Sequence, residues 1–161
     1  VKTSSFIYVT HENGTKSKLT PGEFALYKKL PGDEFDFRDF SQVANPTIIK
    51  GYVELLRRMA EASGERGVYI LTARSSYRPV YEFIKEIGIP NVYVIALGDS
   101  NPELKADWIE NQIKDQGYDD IFFVDDSPLN IEAVKDRLLK YPNVKKKIQL
   151  LNCFQIFFKI S

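Results

Sequence analysis

Asp119–Ile131 reads Asp-Asp-Ile-Phe-Phe-Val-Asp-Asp-Ser-Pro-Leu-Asn-Ile, and this stretch decides the fold. Ile121 to Val124 is a short apolar run with almost no alternation, the pattern of a strand buried on both faces. It ends in two adjacent carboxylates, Asp125 and Asp126. Ser127 then offers a capping hydroxyl, and Pro128 a fixed φ suited to the first helical position. The order is strand, acidic turn, helix. In open α/β sheets the ligand crevice lies at the carboxyl ends of the strands, so the two aspartates stand where chemistry is done. A plainer role competes, in which Asp126 or Ser127 only caps the helix and Asp125 is solvated.

Outward from this stretch the same alternation repeats. Val68–Leu71 reads as a buried strand ending in Thr72-Ala73-Arg74. Pro79 opens a helix whose Val80, Phe83, Ile84 and Ile87 form one apolar stripe, stopped at Gly88. Val92–Leu97 is the next strand; Asn101-Pro102 begins a helix carrying Lys105, Trp108, Ile109 and Ile113, which Gly117 closes. Lys147–Leu151 reads as one more strand, and the apolar tail 152–161 has no firm assignment. Strands alternating with helices at this spacing call for a parallel sheet with right-handed crossovers.

The amino-terminal part is patterned differently. Ser5–Val9 and Lys16–Leu19 are expected as an exposed hairpin turned at Asn13-Gly14. Thr20-Pro21-Gly22-Glu23 matches a capping box and predicts a helix to about Leu30, ended by Pro31-Gly32. Residues 33–40 alternate aromatics with charges and are expected to be extended. From Asn45-Pro46 a helix is expected to run to about Ala62, with Gly64 beyond it.

The 161 residues suffice for one domain with a real core. Lys plus Arg (22) balances Asp plus Glu (22), so no global field recruits nucleic acid or an anionic membrane. The single cysteine, Cys153, excludes an internal disulfide and a Cys-rich zinc site, and suits a reducing compartment. His11 is the only histidine, so catalysis built on a Ser–His or Cys–His pair has little support in the sequence. No signal-peptide pattern, apolar run of transmembrane length or internal repeat is present.

Thr72, Lys105, Asp125 and Asp126 thus fall at strand ends or at the helix entrances that follow. Each has a bland reading: a turn cap, a solvated lysine, paired acids in a loop. Together they suit phosphoryl chemistry, since a hydroxyl and an ammonium hold phosphoryl oxygens while carboxylates hold Mg²⁺.

At these residues the chain resembles the haloacid dehalogenase superfamily of phosphohydrolases. Tyr69-Ile70-Leu71-Thr72-Ala73-Arg74 is similar to its second motif, Lys105 in Asn101-Pro102-Glu103-Leu104-Lys105 to its third, and Val124-Asp125-Asp126-Ser127 to its fourth. The run from Leu19 to Phe37 is similar to an insert in phage-type members, and the whole arrangement, more distantly, to the phosphatase half of polynucleotide kinase-phosphatases. The resemblance implies a Rossmann-like α/β fold, a parallel sheet flanked by helices. Residues 4–40 would form a small hairpin and helix insert serving as a cap, and 41–151 the core of a single domain.

The implied activity is Mg²⁺-dependent phosphomonoester hydrolysis through an aspartyl-phosphate. Thr72, Ala73, Arg74 and Lys105 would bind the phosphoryl group, with Thr72 and Lys105 also catalytic, and Asp125 and Asp126 would hold the metal. The substrate would be a phosphorylated small molecule, a nucleotide or a polynucleotide end, in the cytoplasm of a bacterium or a phage-infected host. No membrane association is expected.

One family feature is missing. The superfamily's first motif, an apolar strand ending in Asp-x-Asp, supplies the nucleophile, and this sequence does not contain it; Phe35-Asp36-Phe37-Arg38-Asp39 has Arg38 where the second aspartate should stand. In phage-type members a stretch like Val1-Lys2-Thr3 follows that motif directly, so the expectation is a nucleophile upstream of Val1. The competing expectation is a catalytically inactive scaffold or binding protein. A phosphate-accepting receiver domain fits the order of elements poorly.

Overall fold

Thr20 opens the first helix in the way its sequence predicts. Its hydroxyl accepts the Glu23 N–H at 3.2 Å, and the Glu23 carboxylate accepts the Thr20 N–H at 2.7 Å, closing a capping box. In the computed structural model, which describes residues 4–43, 46–63 and 67–151, this helix is α1, Pro21–Leu26. It ends four residues before the predicted Leu30. The Leu30 N–H, which a longer helix would return to its own carbonyls, is given instead to the Asp33 carboxylate at 3.0 Å.

The chain divides into two compact units, Val1–Gly98 and Asp99–Ser161. In the first, β1 (Ile7–Thr10), β2 (Lys16–Leu19) and β3 (Glu34–Asp36) form an antiparallel sheet in the order β2-β1-β3. Val9 pairs with Ser17 on one side and Phe35 on the other. The expected exposed hairpin is therefore corrected: β1 is a central strand, with Ile7 and Val9 each only 1% exposed. Burying two such side chains contributes on the order of 1.5–3 kcal/mol each. Phe24 lies edge-on to Phe35 and Phe37, both at 5.4 Å between centroids, so the alternating aromatics pack chiefly on one another.

After a 3₁₀ turn at Arg38–Ser41 comes α2, Lys50–Ser63. It starts later than Asn45-Pro46 predicts, because the β-branched run Thr47-Ile48-Ile49 stays outside the helix and its first turn closes on the Ile49 carbonyl, which accepts from Tyr52 and Val53. Asn45 and Gly64 lie outside the described residues. Ala60 of α2 meets Ile84 and Ile89 in a core flanked by Val53, Leu56, Ile70 and Phe83. Ile84 belongs to α3, Arg78–Glu86, whose end is satisfied from α2: Arg57 donates to the carbonyls of Ile87 at 3.0 Å and Gly88 at 2.7 Å. β4 (Tyr69–Thr72) and β5 (Tyr93–Ala96) pair in parallel.

The second unit starts with α4, Pro102–Gln116. Asn101 caps it, and Gly117 ends it in the left-handed conformation at φ 70°. β6 (Asp120–Asp125), α5 (Pro128–Leu138) and β7 (Lys145–Leu150) follow, and β6 pairs with β7 in parallel. The last strand starts two residues before the predicted Lys147. Lys145 is drawn into the ladder by donating its N–H to the Asp119 carbonyl at 2.7 Å, and the Lys146 ammonium caps the end of α5 through the Leu138 carbonyl at 2.8 Å. Ala106 and Ile109 of α4, and Ile131, Val134 and Leu138 of α5, are buried.

The molecule is thus mixed α/β, with five α-helices and both antiparallel and parallel strand pairs among the described residues. The parallel strands expected as one sheet form two ladders there, β4–β5 and β6–β7. Among the described residues no helix is long and apolar enough to cross a membrane. The apolar tail lies outside them.

Candidate functional site

β6 ends where its sequence says it should, and the last residue of the strand, Asp125, carries the site. Leu151 continues the ladder by donating its N–H to the Asp125 carbonyl at 2.7 Å, which fixes the backbone at the strand end. One carboxylate oxygen, Oδ2, lies 2.6 Å from the Lys105 ammonium. The other, Oδ1, accepts the Ser127 N–H and the Asn130 side-chain amide, each at 2.9 Å. Lys105 stands in the first turn of α4, after Asn101 caps that helix by accepting the Glu103 N–H at 3.1 Å. Ser127 caps α5 by accepting the Asn130 N–H at 3.4 Å.

The pair is largely withdrawn from water, with 14% of the Lys105 side chain and 7% of the Asp125 side chain exposed. A buried carboxylate is tolerated only when its charge is matched and its lone pairs are occupied, and Asp125 meets both conditions within one unit. Three of its roughly four lone-pair sites are taken, leaving about one for a further ligand. Asp126, the next residue, is exposed at the mouth of the same turn. The sequence-derived pair therefore splits into a buried anchor and an exposed carboxylate.

Asn130 was not among the sequence-derived site residues. A signal for it exists: an amide one turn into a helix that follows an acidic strand end can reach back to the acid. Its neighbour in the sequence, Leu129, is 44% exposed, so Asn130 is the residue of that turn facing the strand end.

Thr72, Ala73 and Arg74 belong to the first unit, and their arrangement is set there. Thr72 ends β4; its carbonyl accepts the Leu97 N–H at 2.8 Å and its hydroxyl the Arg74 N–H at 3.3 Å. Ala73 is exposed in the turn. Arg74, expected to grip phosphate, has its guanidinium occupied: it donates to the carbonyls of Phe40 and, at 3.0 Å, Gln42, and lies 5.1 Å from the Phe40 ring centroid. Burial draws its pKa below the ordinary arginine value. The structure thus brings together Lys105 and Asp125 in one unit and Thr72 and Arg74 in the other.

Among the described residues no group of three or more His, Cys, Asp or Glu side chains gathers as a metal cluster. Mg²⁺ needs fewer, since it keeps several waters and is often held by one or two carboxylates plus substrate phosphate. The last lone-pair site of Asp125 and the exposed carboxylate of Asp126 fit that requirement. A second dense polar network in the same unit is structural. Arg137 of α5 reaches Glu103, Asp107 and Glu110 of α4, and Glu110 also accepts from the Tyr141 hydroxyl at 2.6 Å. That network clamps the two helices that present Lys105 and Asn130. Compared with models of protein families, with curated proteins and with solved structures, the chain finds no match.

Proposed function

We propose that the chain carries the phosphoryl- and magnesium-binding part of a phosphatase of the haloacid dehalogenase type, with the Rossmann-like fold of that superfamily. The observation that carries this reading is the withdrawn Lys105–Asp125 pair at the carboxyl end of β6, with exposed Asp126 beside it. On this reading Lys105 neutralises phosphoryl oxygens, and its contact with Asp125 holds it in place. Asn130 and the Ser127 N–H keep Asp125 from turning. Asp125 and Asp126 hold Mg²⁺, which when bound offsets the negative charge of the phosphoryl group.

The reaction, hydrolysis of a phosphomonoester through an aspartyl-phosphate, needs an Asp-x-Asp nucleophile, and residues 1–161 contain none. The proposed activity is therefore complete only with an aspartate that these residues do not supply. The substrate is a phosphorylated small molecule, a nucleotide or a polynucleotide end.

A second reading, an inactive scaffold of the same fold, is favoured by one observation: Arg74 is spent on the carbonyls of Phe40 and Gln42. The two readings separate on Asp126, which a purely structural Lys105–Asp125 pair does not need. Calorimetric titration of Mg²⁺ into the chain with inorganic phosphate present is expected to show binding that Asp126→Asn abolishes, with the thermal midpoint unchanged. Equal binding by both proteins would overturn the phosphatase reading. The matching activity test uses the chain extended upstream by its natural coding sequence. Mg²⁺-dependent hydrolysis of an aryl phosphate is expected there and is lost in Lys105→Met.

A further inference from the structure

The hairpin of β1 and β2 brings together three side chains that lie apart in the sequence. His11 follows β1 directly and closes the turn, its N–H bonding the Thr15 carbonyl at 2.9 Å. Its imidazole reaches back across the hairpin, so that Nε2 lies 3.1 Å from the Ser17 hydroxyl on β2. Its other nitrogen, Nδ1, lies 2.8 Å from Oδ1 of Asp33, which comes from the turn before β3. The Asp33 side chain is 1% exposed and that of His11 25%.

Asp33 is held from its other side. Oδ2 accepts the Tyr27 hydroxyl at 2.8 Å and the Leu30 N–H at 3.0 Å. The Leu30 N–H foremost, with His11 and Tyr27, keeps its carboxyl below the usual carboxylate range, so it is ionised at neutral pH and accepts only. The tautomer follows from the partners. Nδ1 must donate to Asp33, which leaves the Nε2 lone pair of the neutral imidazole facing the Ser17 O–H.

A nucleophile hydrogen-bonded to a base, with that base oriented by a buried carboxylate, is the arrangement that activates serine on unrelated folds, and it is recognised by geometry rather than sequence order. Ser17 is exposed, so a small reagent reaches its oxygen. We infer that Ser17, His11 and Asp33 form a second reactive site, in which Ser17 takes the acyl group of small activated carboxylic esters. The bond from Ser17 Oγ to the acyl carbon forms as the hydroxyl proton passes to Nε2. The ester C–O bond then breaks, and Nε2 returns that proton to the departing alcohol oxygen. Water, deprotonated by the same nitrogen, hydrolyses the acyl-serine and restores the free hydroxyl. This site shares no residue with the proposed phosphoryl site and stands or falls separately from it.

The test treats the chain with p-nitrophenyl acetate, follows nitrophenol release, and maps the acetyl group by peptide mass. Acetylation at Ser17 is expected, absent in Ser17→Ala and slowed on the order of 10²-fold in His11→Gln. Acetylation confined to lysines, or a Ser17 rate unchanged in a folded His11→Gln protein, would overturn the inference. A measurement on the unaltered chain needs no variant to fold. Because His11 is the only histidine, ¹⁵N NMR shows a single imidazole, expected as the Nδ1–H tautomer; the Nε2–H tautomer would equally overturn the inference.

Discussion

Asp125 and Asp33 solve one problem in two ways. Each is a nearly buried carboxylate with three hydrogen-bond donors, a backbone N–H among them. Asp125 takes a lysine ammonium, so the pair is closed within the second unit. Asp33 takes an imidazole, whose charge is optional, along with a tyrosine hydroxyl. The difference lies in what is passed on. Lysine returns its charge to the carboxylate and to whatever anion approaches it, whereas imidazole transmits the polarisation from Nδ1 to Nε2 and so to Ser17. A fixed cation suits anion binding, and a switchable base suits proton transfer.

The comparison breaks most visibly if Lys105 is removed. Lys105→Met leaves Asp125 buried without its cation, and the expected loss is about 3–5 kcal/mol, read from urea unfolding followed by the fluorescence of Trp108, which lies on α4. A loss well under that range would mean the pair is far more solvated than its exposure indicates. Asn130→Ala removes one hydrogen bond to the same carboxylate and is expected to cost about 1.5–3 kcal/mol in the same assay.

Asp33→Asn is expected to lower the thermal midpoint and to convert the single imidazole to a mixture of tautomers, read by ¹⁵N NMR. An imidazole still wholly in the Nδ1–H form in that variant would count against Asp33 as the group that orients it.

A third carboxylate sharpens the contrast through pH. Glu110 is brought down from 4.5 to about 2, first by the Tyr141 hydroxyl and then by Arg137 and Lys114. Its folded pKa is lower than its unfolded one, so its contribution is complete above about pH 4.5 and fades as the pH falls toward 2. Tyr141→Phe is therefore expected to lower the Trp108-reported midpoint at pH 7, with the gap from the unaltered protein closing below pH 4.5. The smallest effect belongs to Asp126→Asn. This exposed residue should leave the thermal midpoint where it is while removing Mg²⁺-dependent phosphate binding.

Asp125 was legible as a strand-end carboxylate because the signals that put it at the end of β6 are local or periodic. An apolar run ends at it, a capping serine and a proline follow, and α4 opens at Asn101-Pro102 as patterned, placing Lys105 in its first turn. Capping and proline chemistry act over three or four residues, and for the same reason four of the five prolines read as helix starts, Pro21, Pro79, Pro102 and Pro128, stand at the first helical positions. Pro46 does not, since the β-branched residues after it stay outside the helix.

Arg74 and His11 mark the opposite case. Nothing within a few residues of Arg74 announces that its guanidinium will satisfy two carbonyls 32 and 34 positions earlier. Nor does the turn sequence around His11 reveal Asp33, 22 residues away and buried. The sequence by itself determined where the strands and helices run, how they are capped, and that acids and a lysine fall at their ends, because those features depend on hydrogen bonds and periodicities spanning a few residues. Only the tertiary structure decided which polar groups meet. The partner of a buried charge is chosen by the closing of the fold around it, and that choice here joined Asp125 to Lys105, Arg74 to the Phe40 and Gln42 carbonyls, and Ser17 to Asp33 through one histidine.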